Sequence, residues 1–491
     1  MTTVPDLVAA AEAAPPGPGT LAVFDYDGTV IGGYSAADVF GHRLRSRQMG
    51  PGELLGLVAA ARRGIADETA FRSFLESALG RWAGTPRDEL DALGRDLFKH
   101  RTAGRLHHEV FAVLEAHRRR GHTLVLASSA LPFQTTPAAE TLGFDHVVCT
   151  AIETDADDRL TGRALGTPVW GAEKARRVEE LAAELGADTA DAFAYSNGRE
   201  DVPLLASCGH AVAVAPDDEL RREAARHGWP VLDCADPAPS PGVRDAVRTA
   251  AFYGTFAGAM GVAGGIGLAR RSRRSFADIA FGVGADVSLA AAGIDVRVVS
   301  GAGHLWAARP AVFVFNHASK IDTIVMAKLL RQDFTGVAKA EAKNVPMFGQ
   351  LFQIAGIALI DRADAGAARA KMSPLVDQLR DGVSVAVSPE GTRTTTPRMA
   401  PFKKGPFHIA HQAGVPVVPI VFRGIDRVQW RGAQVVRAGT VEAVVLPAVP
   451  TDDWTTETMA DHRDDVRARM QAVLDDWPTD RTRELAAGAT S

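Results

Sequence analysis

This chain has few cysteines and a small net charge, and each of these facts argues against a class of protein. Only 3 of the 491 residues are cysteines, spaced neither as a disulfide framework nor as a zinc motif, which fits a reducing compartment. The 59 acidic and 54 basic residues leave a net charge of -5, which argues against a nucleic-acid partner. Hydrophobic residues make up 46% of the chain, as in an ordinary folded protein.

The beginning of the chain lacks the pattern of a secretory signal. Residues 1–19 carry Asp6 and Glu12 and end in a run rich in proline and glycine, which predicts a disordered leader. No internal repeat is found. A chain of 491 residues exceeds what one hydrophobic core normally serves, so two or three domains are expected.

A histidine with a carboxylate five residues later is the first chemical feature. The apolar run 311–315 predicts a buried strand ending just before His317, and a helix expected over about 318–330 would hold Asp322 near the ring. A carboxylate so placed orients an imidazole and stabilises the imidazolium, which makes His317 a candidate general base. No cysteine or G-x-S-x-G elbow lies near it, so the substrate's own hydroxyl would attack an acyl thioester directly.

Three further blocks follow this pair. The four are Asn316–Asp322 (NHASKID), Gly356–Arg362 (GIALIDR), Glu390–Arg393 (EGTR) and Val415–Ile420 (VPVVPI). In this order they resemble the glycerolipid acyltransferases, in particular those that acylate 1-acylglycerol-3-phosphate. Taken alone, the last block is more simply a buried strand and turn.

The resemblance implies a role for each matched residue. His317 would be the general base and Asp322 its partner. Three cations would bind the acceptor's phosphate, namely Arg362, Arg393 and Lys339. The residues that shape the acceptor site would be Glu390, Gly391 and Thr392. Guanidinium forks suit phosphate oxygens, which agrees with a lysophosphatidate acceptor. The acyl thioester would come from coenzyme A or from acyl carrier protein, between which the sequence does not choose.

A second constellation follows the apolar run Leu21–Phe24, which reads as a buried strand. It delivers Asp25 and Asp27 at its carboxyl end, where open α/β sheets place ligands, and Gly28 turns the chain. Two carboxylates at alternate positions can divide labour, one attacking phosphorus while the other handles the leaving-group proton.

With later blocks, this constellation resembles the haloacid dehalogenase superfamily, in its phosphoserine phosphatase-like subgroup. The resemblance implies Asp25 as nucleophile, Asp27 as acid and base, and Ser128 and Lys174 as phosphate ligands. The implied Mg²⁺ ligands are Asp25, Asp27, Asn197 and Asp201.

Two positions depart from that pattern. Asn197 stands where the superfamily has an aspartate, and fewer anionic ligands should weaken a site for a hard cation. Tyr34 replaces the glutamate that holds the substrate amine in phosphoserine phosphatases, so phosphoserine is not the expected substrate.

The expected fold class is α/β throughout. It combines an N-terminal Rossmann-like haloacid dehalogenase domain with a helical cap and a C-terminal α/β glycerolipid acyltransferase domain. The expected segments are the leader 1–19, a phosphatase-like domain 20–232 with its cap over about 35–105, a linker 233–248, a membrane-associated helical segment 249–293, an acyltransferase domain 294–450, and a C-terminal helix and tail 451–491.

The segment 249–269 carries no charge and is followed by the basic run 270–274. Its length can span a bilayer, but its glycines favour a hairpin at the membrane, with 276–292 as the second arm. Asp278 and Asp286 in that arm favour lying on the membrane over crossing it, and the arginines favour the anionic cytoplasmic face of the cell membrane. A buried helix pair of a soluble protein is the alternative.

The sequence therefore predicts acylation of 1-acylglycerol-3-phosphate to phosphatidate, with a possible Mg²⁺-dependent phosphomonoesterase in the N-terminal half. One alternative is a chain that acts mainly as a phosphatase, with a lipid-binding C-terminal half. Another makes the N-terminal half a non-catalytic module that binds a phosphorylated ligand.

Overall fold

Two units make up the chain in the computed structural model, Met1–Pro239 and Ser240–Ser491. The structure describes residues 2–47, 49, 67–235, 241–340, 349, 356–360 and 365–478. Each unit contains its own β-sheet with helices around it, so the predicted α/β class is confirmed in both.

A six-stranded parallel sheet forms the centre of the first unit. Its strands are β1 (Leu21–Phe24), β2 (Thr123–Ala127), β3 (His146–Val148), β6 (Phe193–Ser196), β7 (His210–Val214) and β8 (Val231–Leu232). They lie in the order β3-β2-β1-β6-β7-β8. Every residue of β1, β2 and β6 is buried, as expected of parallel strands covered on both faces. The first strand thus lies in the middle, and its carboxyl end faces the ends of β2 and β6.

The described helices of the first unit are α1 (Val4–Ala13), α2 (Ser35–Arg45), α3 (Glu68–Leu79), α4 (Arg87–His100), α5 (His108–Arg119), α6 (Pro132–Leu142), α7 (Ala172–Leu185), α8 (Val202–Ser207) and α9 (Asp218–His227). The expectation of a disordered leader is wrong for α1. Thr3 and Asp6 form a capping box at its start, and Leu7 and Ala11 are buried on the side that packs against α5.

The predicted cap contains helices, and a β-hairpin from outside its predicted range, which the sequence did not reveal, packs against them. Helices α2, α3 and α4 share an apolar core, to which Leu160 contributes. Leu160 begins β5 (Leu160–Leu165), which pairs antiparallel with β4 (Ala151–Thr154). Residues 48 and 50–66 of the predicted cap lie outside the described residues.

Two buried histidines lie beneath β6. His117 contacts His122 between the Nδ1 atoms at 2.8 Å and the Tyr195 hydroxyl through Nε2 at 2.9 Å. Burial, with a further contribution from His122, lowers the pKa of His117 to about 3. The imidazole therefore stays neutral in the folded protein.

Burial of His117 should lower its own contribution to the stability of the first unit in acid. An unfolded histidine has a pKa near 6.5, so between about pH 6.5 and pH 3 this side chain binds more protons in the unfolded chain, and its contribution falls as pH falls. From pH 6.5 to pH 5 that contribution falls by roughly 2 kcal/mol. His117→Gln removes it, so the stability of the variant relative to the unsubstituted protein should rise by this amount over the same range. Hydrogen exchange of the β1 amides, corrected for intrinsic rates, measures both proteins, and a relative stability that does not change with pH would contradict the assignment.

A seven-stranded mixed sheet forms the centre of the second unit. Its strands are β9 (Ile294–Ser300), β10 (Val312–Phe315), β11 (Phe334–Lys339), β12 (Ala358–Ile360), β13 (Ser384–Val387), β14 (Val417–Arg423) and β15 (Gly439–Val445). They lie in the order β12-β11-β13-β10-β14-β15-β9, with only the β14–β15 pair antiparallel among the described pairings.

The described helices of this unit are α10 (Val243–Ala269), α11 (Arg273–Ala291), α12 (His304–Ala307), α13 (Asp322–Leu330), α14 (Ala365–Arg380), α15 (Gly405–Ala413), α16 (Ile425–Val428) and α17 (Met459–Asp475). They build one apolar core on each face of the sheet. Because side chains alternate along a strand, Phe313 and Phe315 join the core with α10, α11 and α13, whereas Val312 and Val314 join the core with α14, α15 and α17.

The helices α10 and α11 pack against each other as a hairpin. Helix α10 begins at Val243, inside the predicted linker, because Gly242 precedes it and its N–H donates to the Asp245 carboxylate at 3.2 Å. Among the described helices, α10 alone is long and apolar enough to cross a membrane, judged by length and composition only. Of its most apolar stretch, 22% is buried.

The two aspartates of α11 do not supply the argument for a membrane surface that the sequence suggested. Asp286 pairs with Lys328 and Arg331, each at 2.9 Å. Asp278 accepts a hydrogen bond from the Asp333 N–H at 3.1 Å. Both carboxylates are held by their own unit, so their charge does not decide between lying on a membrane and crossing it.

Candidate active sites

His317 and Asp322 meet at the carboxyl end of β10. The His317 Nδ1 lies 2.6 Å from Asp322 Oδ2, and the carboxylate is fully buried. The same carboxylate accepts the N–H groups of Ala318 at 2.9 Å and Ser319 at 3.1 Å. These bonds fix the carboxylate before it orients the ring. With Nδ1 held, Nε2 is the nitrogen that can receive a proton.

Glu390 fixes the backbone of the histidine and does not present its carboxylate outward. Its Oε1 accepts the His317 N–H at 2.7 Å, and its Oε2 accepts the Ala400 N–H at 2.7 Å. Burial raises the pKa of Glu390 to about 7, although the two N–H donors act against that rise. The glutamate of the EGTR block therefore acts by positioning His317.

Asn316 joins two strands beside the same site. Its Nδ2 donates to the Phe422 carbonyl at 2.9 Å, and its Oδ1 accepts the Phe422 N–H at 2.7 Å. A side-chain amide used in this way mimics a strand partner and ties the end of β10 to β14. The first residue of the NHASKID block therefore contributes structure next to the histidine.

Arg393 belongs to a group of cations that the sequence revealed only in part. Its Nη1 donates to the Arg431 carbonyl at 2.7 Å, and Arg431 donates in return to the Arg393 carbonyl. Burial lowers the pKa of Arg393, Lys320 and Arg431, and the Arg393 guanidinium adds to that effect on the other two. Arg431 is buried, Arg393 is partly buried and Lys320 is exposed. Cations grouped in this way favour an anionic ligand.

The other residues predicted for the acceptor site are described only in part by the structure. Gly391 has φ +72°, which fits glycine in this turn, and Thr392 is exposed. Lys339 ends β11, but its side chain lies outside what is described. Arg362 lies outside the described residues. The Val415–Ile420 block enters the buried strand β14.

Asp25, Lys174 and Asp201 meet at the carboxyl end of β1 in the first unit. The Lys174 Nζ lies 2.9 Å from Asp25 Oδ1 and 2.7 Å from Asp201 Oδ2, and all three side chains are buried. Burial raises the pKa of Asp25 to about 7, with Lys174 acting against it. Burial works to lower the pKa of Lys174, but Asp201 and Asp25 outweigh it and raise that pKa.

Asn197 reaches the same carboxylate through Thr29. The Thr29 hydroxyl lies 3.0 Å from Asp25 Oδ2 and 3.2 Å from Asn197 Oδ1. Gly28 leaves room for this contact, because a Cβ there would lie 2.1 Å from the Asn197 Nδ2, and its φ of +87° also suits glycine. Sequence reasoning did not assign Thr29, although it directly follows Gly28 in the run Asp25–Thr29 (DYDGT).

Asp27 and Ser128 face different partners. Asp27 accepts the Ser35 N–H at 2.6 Å and the Ser35 hydroxyl at 3.1 Å. Burial raises the pKa of Asp27 to about 6, with the Ser35 bonds acting against the rise. Ser128 is buried after β2, and its Oγ accepts the Ala130 N–H at 3.0 Å.

The residues at this site fit a divalent cation of the Mg²⁺ type. Asp201 uses only Oδ2 for Lys174 and Ser196, at 2.7 and 2.6 Å. Its Oδ1 is buried without a hydrogen-bond partner among the described residues. A buried oxygen of this kind calls for a ligand, and with Asp25 and the Asn197 carbonyl it offers the hard donors that Mg²⁺ prefers.

Replacing Asn197 by aspartate tests its effect on that cation. We expect Asn197→Asp to tighten Mg²⁺ binding roughly 10-fold, since a carboxylate adds a negative charge next to Asp25 and Asp201. Isothermal titration of the full chain measures it. Asn197→Ala, which removes the amide oxygen, should bind more weakly. Equal affinities for all three proteins would show that residue 197 does not contact the cation.

Two family models match separate parts of the chain. Residues 22–206 match the haloacid dehalogenase-like hydrolase family. Residues 296–423 match the acyltransferase family. The first match contains Asp25, Ser128, Lys174 and Asp201, and the second contains His317.

Proteins similar to part of this chain are named as acyltransferases. A 1-acyl-sn-glycerol-3-phosphate acyltransferase of Limnanthes douglasii is 36% identical over 153 residues, which are 31% of this chain and 54% of the relative. The alpha form of that enzyme from Homo sapiens is 36% identical over 187 residues, 38% of this chain and 66% of the relative. The chain therefore spans part of each relative. The crystal structure of the 1-acyl-sn-glycerophosphate acyltransferase PlsC from Thermotoga maritima has a TM-score of 0.41 at 22% identity, covering 48% of this chain and 98% of that one.

Proposed function

We propose that this chain, which joins a haloacid dehalogenase-like hydrolase domain to an acyltransferase domain, acylates the free hydroxyl of 1-acylglycerol-3-phosphate to give phosphatidate. The observation that carries the proposal is the 2.6 Å contact between His317 Nδ1 and Asp322, with the partly buried Arg393 near the same carboxylate. The names of the aligned relatives support the same acceptor.

The reaction needs one proton transfer and one bond exchange. As the acceptor oxygen forms the new ester bond with the thioester carbonyl carbon, His317 Nε2 takes the hydroxyl proton. The carbon–sulfur bond breaks, its electron pair leaves with sulfur, and the imidazolium returns the proton to the thiolate. Asp322 stabilises the charged ring throughout. The free thiol product is that of coenzyme A or of acyl carrier protein.

Arg393 would hold the acceptor phosphate and so orient the hydroxyl toward His317. Arg362 and Lys339 would add to this site by resemblance alone. Positioning of this kind can supply a large part of the rate enhancement, because a collision between two lipids becomes an oriented step.

Substituting Arg393 separates binding from chemistry. We expect Arg393→Ala to raise KM for lysophosphatidate roughly 10- to 100-fold with a smaller change in kcat, because a charge-assisted hydrogen bond is lost. Arg393→Lys should recover part of the loss. The exposed Arg427→Ala is the matched control. A fall in kcat alone, with KM unchanged, would remove Arg393 from the acceptor site.

The hairpin of α10 and α11 would place this chemistry at the cytoplasmic face of the cell membrane. Val262 and Leu268 are 61% and 82% exposed on α10. Four arginines lie within 270–274 at the turn, and Arg274 among them pairs with Asp333. Each of the other three can contribute about 1 kcal/mol of attraction to anionic lipid. A lysolipid acceptor would reach the site from that surface.

A second candidate function is a phosphomonoesterase in the first unit. The unpartnered Asp201 oxygen beside Asp25 and Lys174 favours it over a purely structural domain. Asp25 would attack phosphorus as the bond to the leaving oxygen breaks, and Asp27 would protonate that oxygen. Asp27 would then take a proton from a water that attacks the phospho-aspartate, which releases inorganic phosphate and restores Asp25. Lys174 and Ser128 would hold the phosphate. When bound, Mg²⁺ would neutralise phosphate charge. The chain would then act on two substrates.

One assay tests both functions. Purified protein in detergent is mixed with lysophosphatidate and acyl-coenzyme A, with and without Mg²⁺, while free thiol and inorganic phosphate are followed in the same tube. Acceptor-dependent thiol release supports the acyltransferase, and Mg²⁺-dependent phosphate release supports the phosphatase. If neither acyl-coenzyme A nor an acyl carrier protein thioester releases thiol, the first proposal is wrong.

A further inference from the structure

Three side chains of types that bind metals lie close together in the first unit, and none of them belongs to the Asp25 site. They are His107, Glu109 and Cys234, and one ligand atom from each lies within 4.8 Å of the other two. His107 is buried, and Glu109 and Cys234 are partly buried. Cys234 is far from the other two in sequence, so spacing alone could not reveal the group.

The fold brings these residues together where one helix begins and one strand ends. His107 precedes the first residue of α5, and Glu109 lies in the first turn of that helix. Cys234 follows β8 at the edge of the sheet. The β8 strand is held by the Thr2 N–H, which donates to the Val231 carbonyl at 3.1 Å, and by the Ala215 N–H, which donates to the Leu232 carbonyl at 2.8 Å. Both sides of the group are therefore anchored.

The donor set selects among metals. An imidazole nitrogen, a carboxylate oxygen and a thiolate sulfur suit Zn²⁺, whereas Mg²⁺ prefers oxygen alone. With bonds of about 2.0–2.3 Å, ligands of one tetrahedral Zn²⁺ lie roughly 3.5 Å apart, so the three groups need to close by about 1 Å. We propose that His107, Glu109 and Cys234 form a zinc site with one coordination position open to a further ligand.

The site would tie together segments that serve the phosphatase-like unit. The His107 N–H donates to the Val30 carbonyl at 3.0 Å, and Ile31 pairs with Leu106. These contacts hold the turn that follows Asp27. A cation bound by His107 and Cys234 would link this turn to the last strand of the sheet, and it would stabilise the folded unit by favouring the state in which the ligands meet.

Cobalt reports such a site directly. The full-length protein, freed of metal with a chelator, is titrated with Co²⁺. We expect one equivalent to produce a thiolate-to-cobalt charge-transfer band together with visible d–d bands of tetrahedral intensity, and Zn²⁺ to remove both. Mg²⁺ should not compete. The band should vanish in Cys234→Ser and persist in Cys149→Ser, which removes another partly buried thiol.

A second variant keeps the test independent of folding. Glu109→Gln retains the shape of a partly buried side chain and should weaken Co²⁺ binding at least about 10-fold, with the charge-transfer band still reached at high metal. Thermal unfolding should shift upward with Zn²⁺ in the unsubstituted protein and not in Cys234→Ser. A band that survives in Cys234→Ser, or no band in the unsubstituted protein, would overturn the proposal.

Discussion

Replacing His317 by alanine is expected to lower the rate of acyl transfer roughly 10³-fold, because general-base catalysis of this kind contributes about 10²–10⁴. The folded structure should be unaffected, since 18% of the side chain is exposed and its ring nitrogen bonds Asp322 rather than the core. Thiol release from acyl-coenzyme A in the presence of lysophosphatidate measures the rate. Circular dichroism and the melting temperature check the fold.

Two further variants make that result specific. His304→Ala removes a histidine of the same unit from α12 and should leave the rate unchanged. Asp322→Asn keeps an acceptor for the Ala318 and Ser319 N–H groups but removes the charge that stabilises imidazolium, so it should lose most of the activity. Full activity in His317→Ala would require a different base and would end the dyad mechanism.

The second large effect is expected at Asp25. Asp25→Asn should reduce Mg²⁺-dependent phosphate release by roughly 10³-fold or more, because an amide cannot act as the nucleophile. The amide is close in shape to the carboxylate and can still meet Lys174 and Thr29. Release of p-nitrophenol from p-nitrophenyl phosphate, followed over a range of Mg²⁺ concentrations, measures the loss.

A second aspartate and the second activity serve as controls for Asp25→Asn. Asp217→Asn changes an aspartate that caps α9 and should leave phosphate release unaltered. Acyl transfer by Asp25→Asn should match that of the unsubstituted chain if the two chemistries are separate. Phosphate release that survives the substitution would place the activity elsewhere. No release by the unsubstituted protein at any Mg²⁺ concentration would favour a non-catalytic binding module.

The site residues that could be predicted from the sequence are those that directly follow a buried strand. Continuous apolar runs identify β1 and β10, and polar residues just after them must lie at the same edge of their sheets. Asp25 and His317 are found there. The start of α13 was predicted too early, because Asp322 takes the N–H groups of Ala318 and Ser319 and holds those residues in a turn ahead of the helix.

Contacts made by isolated polar residues were beyond sequence reasoning. Arg431 lies in a loop with no periodic pattern, and only the folded structure places it against Arg393. Thr29 likewise gains its meaning from Asn197, which is distant in sequence. The β4–β5 hairpin was missed because its strands are mostly partly buried or exposed and lack a strict alternation. Tertiary neighbours, rather than local patterns, decide such positions.

Helix α13 sets the distance between the His317 site and helix α11. Asp322 stands at its first residue, while Lys328 in its last turn and Arg331 just beyond its end pair with Asp286 of α11. Nine helical residues span roughly 13 Å at about 1.5 Å each. His317 is therefore held at a fixed distance from the ion pairs that join α13 to α11. If the hairpin lies at a membrane surface, as proposed, a lipid acceptor has to bring its hydroxyl to that distance from it, and this one short helix sets how deep the reaction takes place.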